Sequence, residues 1–134
     1  MMKRLLALLP HDDIDFHDSV YMRRHHLLRT RFLSLRVHHI LRPDSTTDVH
    51  DHPWHFISLV LHGRYRERFL DGTTAWRHRW SVAFKRAGTA HTIDIVSGDV
   101  WTLVLCGPIL GDGAWGFFVD GKWEDRKSYI GREA

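Results

Sequence analysis

Short runs of β-forming residues, broken by turn residues about every ten positions, are the feature that most restricts what this chain can fold into. Leu33, Leu35, Val37, His39 and Leu41 alternate with Ser34, Arg36, His38 and Ile40, the period-two pattern of a half-buried strand. Pro43-Asp44-Ser45 marks a turn. The run His55 to Leu61 follows and ends at His62-Gly63. Arg64 to Leu70 then sets Tyr65, Glu67 and Phe69 on one face and Arg64, Arg66 and Arg68 on the other. Asp71-Gly72 before Thr73-Thr74 predicts a hairpin turn. Ala75 to Arg79, Trp80 to Lys85, His91 to Val96, Val100 to Cys106 and Trp115 to Val119 continue the series, with turns at Ser97-Gly98-Asp99 and Gly107-Pro108. Such a series, with no long helical period to compete, predicts an all-β domain: a jelly-roll-like antiparallel sandwich or barrel. Before residue 30 the pattern is irregular, with a short helix expected around Val20 to Leu28.

A chain of 134 residues suits a single domain, 1–134, with the barrel expected over about 30–120 behind a short N-terminal extension. Its single cysteine, Cys106, excludes an internal disulfide and, within an apolar strand, reads as a small buried hydrophobe. A net charge of +3 is too small to make nucleic acid an expected partner. The apolar run Leu5 to Leu9 stops at Pro10, short of a secretory or membrane segment, so a soluble cytoplasmic protein is expected. The same run needs cover, from a barrel edge or from the partner subunit of a homodimer.

Twelve histidines is a large number for this length, but it signals chemistry only where the residues converge. His50-Asp51-His52 offers such a point, since residues i and i+2 of an extended chain face the same way. Two imidazoles on one side form a natural pair of metal ligands, although a lone His-x-His also arises by chance in so histidine-rich a chain. His55 is the rival: its parity is opposite to that of His52, but a bulge at Pro53 would redirect it. Asp51 points away from such a site and could orient a histidine through its second ring nitrogen.

The spacing around these residues resembles the two motifs of the cupin superfamily, RmlC-like proteins with a jelly-roll barrel. His50, His52 and Gly63 fall on positions of the first motif, G-x5-H-x-H-x3-E-x6-G. Gly88 and His91 fall on positions of the second, G-x5-P-x-G-x2-H-x3-N. Phe56 replaces the glutamate, Arg86 the proline and Ile95 the asparagine, and neither opening glycine is present. The segment from His50 to Leu59 with Gly63, Tyr65 and Glu67, and Trp115-Gly116-Phe117 ahead of Trp123, is similar to small bacterial and phage cupins.

The resemblance implies His50, His52 and His91 as metal ligands, with no fourth side chain because phenylalanine cannot coordinate. Some cupins with three-histidine sites are iron dioxygenases, and others hold zinc or nickel. The competing reading is a polar barrel mouth that holds no metal. A divalent transition metal is the expected cofactor, Fe(II) first and zinc or nickel as alternatives, with a small organic molecule as substrate. The expected function is a metal-dependent cupin dioxygenase or oxidase. A zinc or nickel isomerase or lyase and a non-catalytic ligand-binding module are the other readings.

Glu67 and Tyr65 are candidate catalytic residues if their face is the barrel interior, Glu67 as acid, base or substrate anchor and Tyr65 as proton donor. Pairing of Glu67 with a neighbouring arginine is the competing reading. Arg64, Arg66 and Arg68 read as a solvated face, and His39 as either a cavity residue or a core histidine. Trp54, Trp101, Trp115 and Trp123 suit a pocket, core packing or an interface equally. No Ser-His-Asp order, phosphate-binding glycine loop or Cys-x-x-Cys pair is present.

Overall fold

Glycines at two of the expected turns serve instead as bends inside unbroken strands. A computed structural model describes residues 2–8, 11–16, 19–43 and 48–133. The elements run α1 (Met2–Ala7), β1 (His11–Phe16), β2 (Ser19–Arg29), β3 (Ser34–Ile40), β4 (Phe56–Phe69), β5 (Thr74–Arg77), β6 (Val82–Lys85), β7 (His91–Cys106), β8 (Gly116–Val119), β9 (Lys122–Asp125) and α2 (Arg126–Glu133). The sheet order is β1-β2-β3-β7-β4-β5, all antiparallel, with β6 also on β4 and β8–β9 a separate hairpin.

Strand β4 continues through Gly63 (φ +75°), where the run was expected to end, and β7 through Gly98 (φ +77°), where a turn was expected. Their mutual register slips at Val60/His62, His62/Arg64 and Arg66/Glu67. Such bulges bend and twist a strand, so one long pair can wrap around the barrel. Gly63 is also where β7 passes too closely for a side chain: a Cβ there would meet the Asp99 carbonyl oxygen at 2.6 Å. The reversal at Asp71-Gly72 does form, with Gly72 at φ +85° and Phe69 N donating to Thr73 O at 2.9 Å.

The helix expected around Val20 to Leu28 is strand β2, and the sheet begins at His11 rather than near residue 30. The period-two signal fails there because both faces are covered by mixed side chains. Met22 and Arg24 line the interior cavity, while His25, 1% exposed, stacks toward Trp101 on the other face. Strand β3 is two-sided in the same way. Ile40 joins an inner cluster with Val60, Tyr65 and Val100, whereas Val37 joins an outer one with Leu61 and Trp101.

Asp44 and Ser45 of the expected turn lie outside the described residues, as does Leu9. Leu5 and Leu8 are exposed, so this subunit does not cover them. Among the described residues no helix is long and apolar enough to cross a membrane.

Candidate metal centre

His50 and His52 lie on an extended segment threaded between β7 and β8, and His91 opens β7 beside it. Reciprocal backbone hydrogen bonds of 2.9 Å join His50 and His91. Asp51 N donates to Gly116 O at 3.0 Å, and Phe118 N to Val49 O at 2.9 Å. The Asp51 carboxylate completes the clamp, accepting from Gly116 N at 2.8 Å and Trp123 Nε1 at 3.2 Å. Asp51 therefore orients the loop, not a histidine ring. From the other side, Gly88 (φ +82°) donates its N–H to His52 O at 3.0 Å.

This framework brings one nitrogen from each of His50, His52 and His91 within 4.8 Å of the others. The Nε2 atoms of His52 and His91 are 3.3 Å apart. Two ligands 2.0–2.1 Å from one tetrahedral ion stand about 3.4 Å apart, so that pair already has the spacing of a metal-binding edge. Burial, then the neighbouring His91, pushes the His50 imidazole down to about 3. Burial followed by His50 and His91 holds His52 well below its ordinary value. Both rings are thus neutral near pH 7, the form that ligates metals. The three residues fit a divalent transition ion that prefers imidazole nitrogen.

Behind His91 stands Glu67, 1% exposed. Its Oε1 lies 3.0 Å from His91 Nδ1 and 2.9 Å from Lys85 Nζ, and its Oε2 accepts from Arg77 Nε at 2.6 Å. Burial alone would raise this carboxyl, but the His91 hydrogen bond and the Lys85 charge, helped by Arg77, hold it at about 2. A carboxylate on Nδ1 requires the proton there and leaves Nε2 bare toward the site. Burial lowers the proton affinity of Lys85, and Glu67 opposes that change. The arginine on Glu67 comes from β5, not from its own strand. Arg66 instead makes a two-point bond to Asp94, at 3.0 and 2.7 Å, on the outer face.

Phe56, at the motif's glutamate position, sits edge-on to His52 with ring centroids 5.5 Å apart and adds no ligand. His55 is not part of the cluster: it is exposed, and its Nδ1 accepts the Ala87 N–H at 2.9 Å. His39 does not reach the cavity either. It stacks on Trp101 at 4.0 Å and bonds Asp99 at 2.6 Å, leaving its neighbour His38 in the cavity wall. Tyr65 does line the cavity, buried among Ile40, Val60 and Val100. Cys106 is a buried free thiol of the same wall, its pKa raised by burial. Of the tryptophans considered, Trp54 and Trp115 line the cavity, while Trp101 packs in the outer cluster. The cavity measures about 530 Å³, room for a small organic molecule beside the histidines.

Nothing in the local pattern marks Lys85, Arg24 or Arg36 as lining this cavity, or Arg77 as the partner of Glu67. In β6 the pattern is inverted: Val82 and Phe84 are exposed while Ala83 and Lys85 are buried. The ion pair with Glu67, with the Phe56 ring 5.2 Å from the ammonium, makes that orientation tolerable.

No protein-family profile matches the chain, and no curated protein matches it significantly. Solved structures do. An RmlC-like cupin from Shewanella frigidimarina superposes with TM-score 0.61 at 16% identity, over 79% of this chain and 89% of that one. KdgF from Halomonas sp. gives 0.59 at 19% identity, over 76% and 90%. FeII HppE gives 0.63 at 16% identity, over 75% of this chain but only 57% of its own length. The antiparallel barrel, with three histidines at the positions expected from the motif resemblance, has the cupin fold.

Proposed function

We propose that this chain is a metal-dependent cupin enzyme in which His50, His52 and His91 hold Fe(II), where dioxygen would oxidise a small organic substrate. The observation that carries the reading is the convergence of three imidazole nitrogens at a cavity wall with, among the described residues, no fourth protein ligand in the cluster. The kinship in fold with FeII HppE favours iron as the ion. When bound, the ion would supply exchangeable positions for substrate and dioxygen.

The chain's own residues then have separate tasks. Glu67 keeps the His91 proton on Nδ1 and acts as a positioning residue; a carboxyl held at about 2 does not donate a proton near pH 7. Trp54, stacked on His52 with centroids 5.4 Å apart, limits the tilt of that ring. Ile40, Val104 and Phe117 give the cavity an apolar lining that disfavours bulk water. Tyr65 presents its ring to the same space, and its hydroxyl is the candidate proton donor.

Elemental analysis of protein prepared without chelator, beside His50→Ala/His52→Ala, tests the centre. Near-stoichiometric iron in the wild type and its loss in the variant are expected, with oxygen uptake when an oxidisable substrate is supplied. Zinc or nickel in the same place would replace oxygen chemistry with Lewis-acid catalysis. Absence of metal after anaerobic reconstitution with Fe(II) would overturn the proposal.

A further inference from the structure

The wall near His52 carries positive charge that no carboxylate of the described residues ion-pairs. Arg24 on β2 and Arg36 on β3 both face the cavity. Arg24 is the register partner of His38, and Arg36 lies two residues before His38 on the same strand. The Nε atoms of both arginines and Nε2 of His38 are buried without any hydrogen-bond partner. Among the described residues, neither guanidinium has an acidic group within ion-pairing distance. The two carboxylates that line the cavity are committed elsewhere: Glu67 to Lys85, Arg77 and His91, and Asp13 to Arg23 and His11. Asp12 is bound to His26 at 2.8 Å and reaches Arg24 only through its field, a weaker effect than the burial and the Arg36 charge that oppose it.

A buried cation with open donors costs solvation energy that a ligand can return. We propose that Arg24 and Arg36, with the Nε2 of His38, form an oxyanion-binding subsite, and that the substrate is an organic anion whose acidic group docks there. This deepens the proposed function and rests on the cavity being its substrate site. Guanidinium forks match the paired oxygens of a carboxylate or phosphate-type group. Burial followed by the charges of Arg24 and Arg36 keeps His38 neutral, so its ring has an N–H to donate without adding repulsion. Burial and then Arg36 lower the proton affinity of Arg24, which marks the two guanidiniums as mutually repelling neighbours. The subsite also touches the candidate metal centre. Arg36 lies 5.1 Å from the Trp54 ring centroid, and Trp54 stacks on His52. An anion held there would leave the rest of the substrate within reach of the histidines.

The test is thermal unfolding of chelator-stripped protein with sodium phosphate, acetate or chloride at fixed ionic strength, for wild type, Arg24→Gln and Arg36→Gln. A saturable rise in midpoint of about 10 °C is expected at about 100 times Kd of an active anion. The rise should be lost in both variants, and their midpoints without anion should equal or exceed that of wild type because an uncompensated cation is gone. A response to phosphate alone identifies a phosphate-type group, and a response to acetate alone identifies a carboxylate. Equal effects of all three salts, or variants that keep the response, would overturn the subsite. Metal loading separates this result from the reading on which it rests. Iron retained with no anion response removes the subsite and leaves the metal centre. An anion response that persists in His50→Ala/His52→Ala, in a protein that never holds metal, removes the metal centre and leaves the subsite.

Discussion

Replacing Glu67 by glutamine tests the buried charge network and the metal centre together. In the wild type Oε1 takes Lys85 and His91, and Oε2 takes Arg77. A glutamine can satisfy only one side. With its oxygen toward Lys85 and His91, its amide hydrogens confront the Arg77 N–H. With its oxygen toward Arg77, the amide confronts Lys85 and donates to His91 Nδ1, moving the imidazole proton to the metal-facing Nε2. Either way Lys85, 4% exposed, loses its counter-ion. Breaking a buried pair costs about 3–5 kcal/mol, which for a domain of this size lowers the midpoint by roughly 10–20 °C. Loss of the carboxylate behind a ligating histidine weakens metal binding by about 10–100-fold. Glu67→Gln/Lys85→Met divides the two effects. Methionine removes the stranded ammonium, so most of the stability should return, while Arg77 holds the amide oxygen, the NH2 faces His91 Nδ1 and metal affinity stays low. Circular dichroism melts and competition against a chromophoric chelator read the two quantities. A Glu67→Gln midpoint within about 2 °C of wild type, with unchanged metal affinity, would refute the reasoning. So would a double variant that regains metal affinity along with stability.

Trp80 occupies the opening-glycine position of the second motif with φ +71° and is 59% exposed. Trp80→Gly should relieve left-handed strain and stabilise the fold by about 1 kcal/mol, read as a higher urea midpoint with unchanged slope. The hydrogen bonds from Arg66 hold the Asp94 carboxyl below its ordinary value of 3.8 in the folded state. Its contribution is therefore complete above pH 3.8 and fades as pH falls through the lower folded value. The stability gap between wild type and Asp94→Asn should be constant above that pH and close in acid, as followed by melts across a pH series. On the outer face, exposed Ile57 and Phe84 are register partners, with exposed Val82 on the same side of β6. We expect this patch to join two copies of the chain, giving a dimer mass by light scattering that Phe84→Arg halves.

Local pattern alone was enough to establish an antiparallel all-β domain. Alternation and turn residues mark β3 to β8, and the resemblance to the two cupin motifs marks His50, His52 and His91, whose nitrogens the fold brings together. Those features are legible because parity along a strand and glycine at positive φ depend on few neighbours. Strand β2 was not legible, since a strand covered on both faces by arginine, histidine and methionine shows neither a helical nor an alternating period. The expected strand end at Gly63 and turn at Gly98 became bends for a related reason: a glycine states that the backbone turns left-handed, not whether the chain reverses. The charged wall of the cavity was the most hidden. Lys85, Arg24 and Arg36 line it from three strands, and Arg77 joins Lys85 on Glu67 from a fourth. Sequence determined which groups could do chemistry; tertiary packing decided which charges would be buried together, because the cost of burying an ion depends on partners distant in the chain.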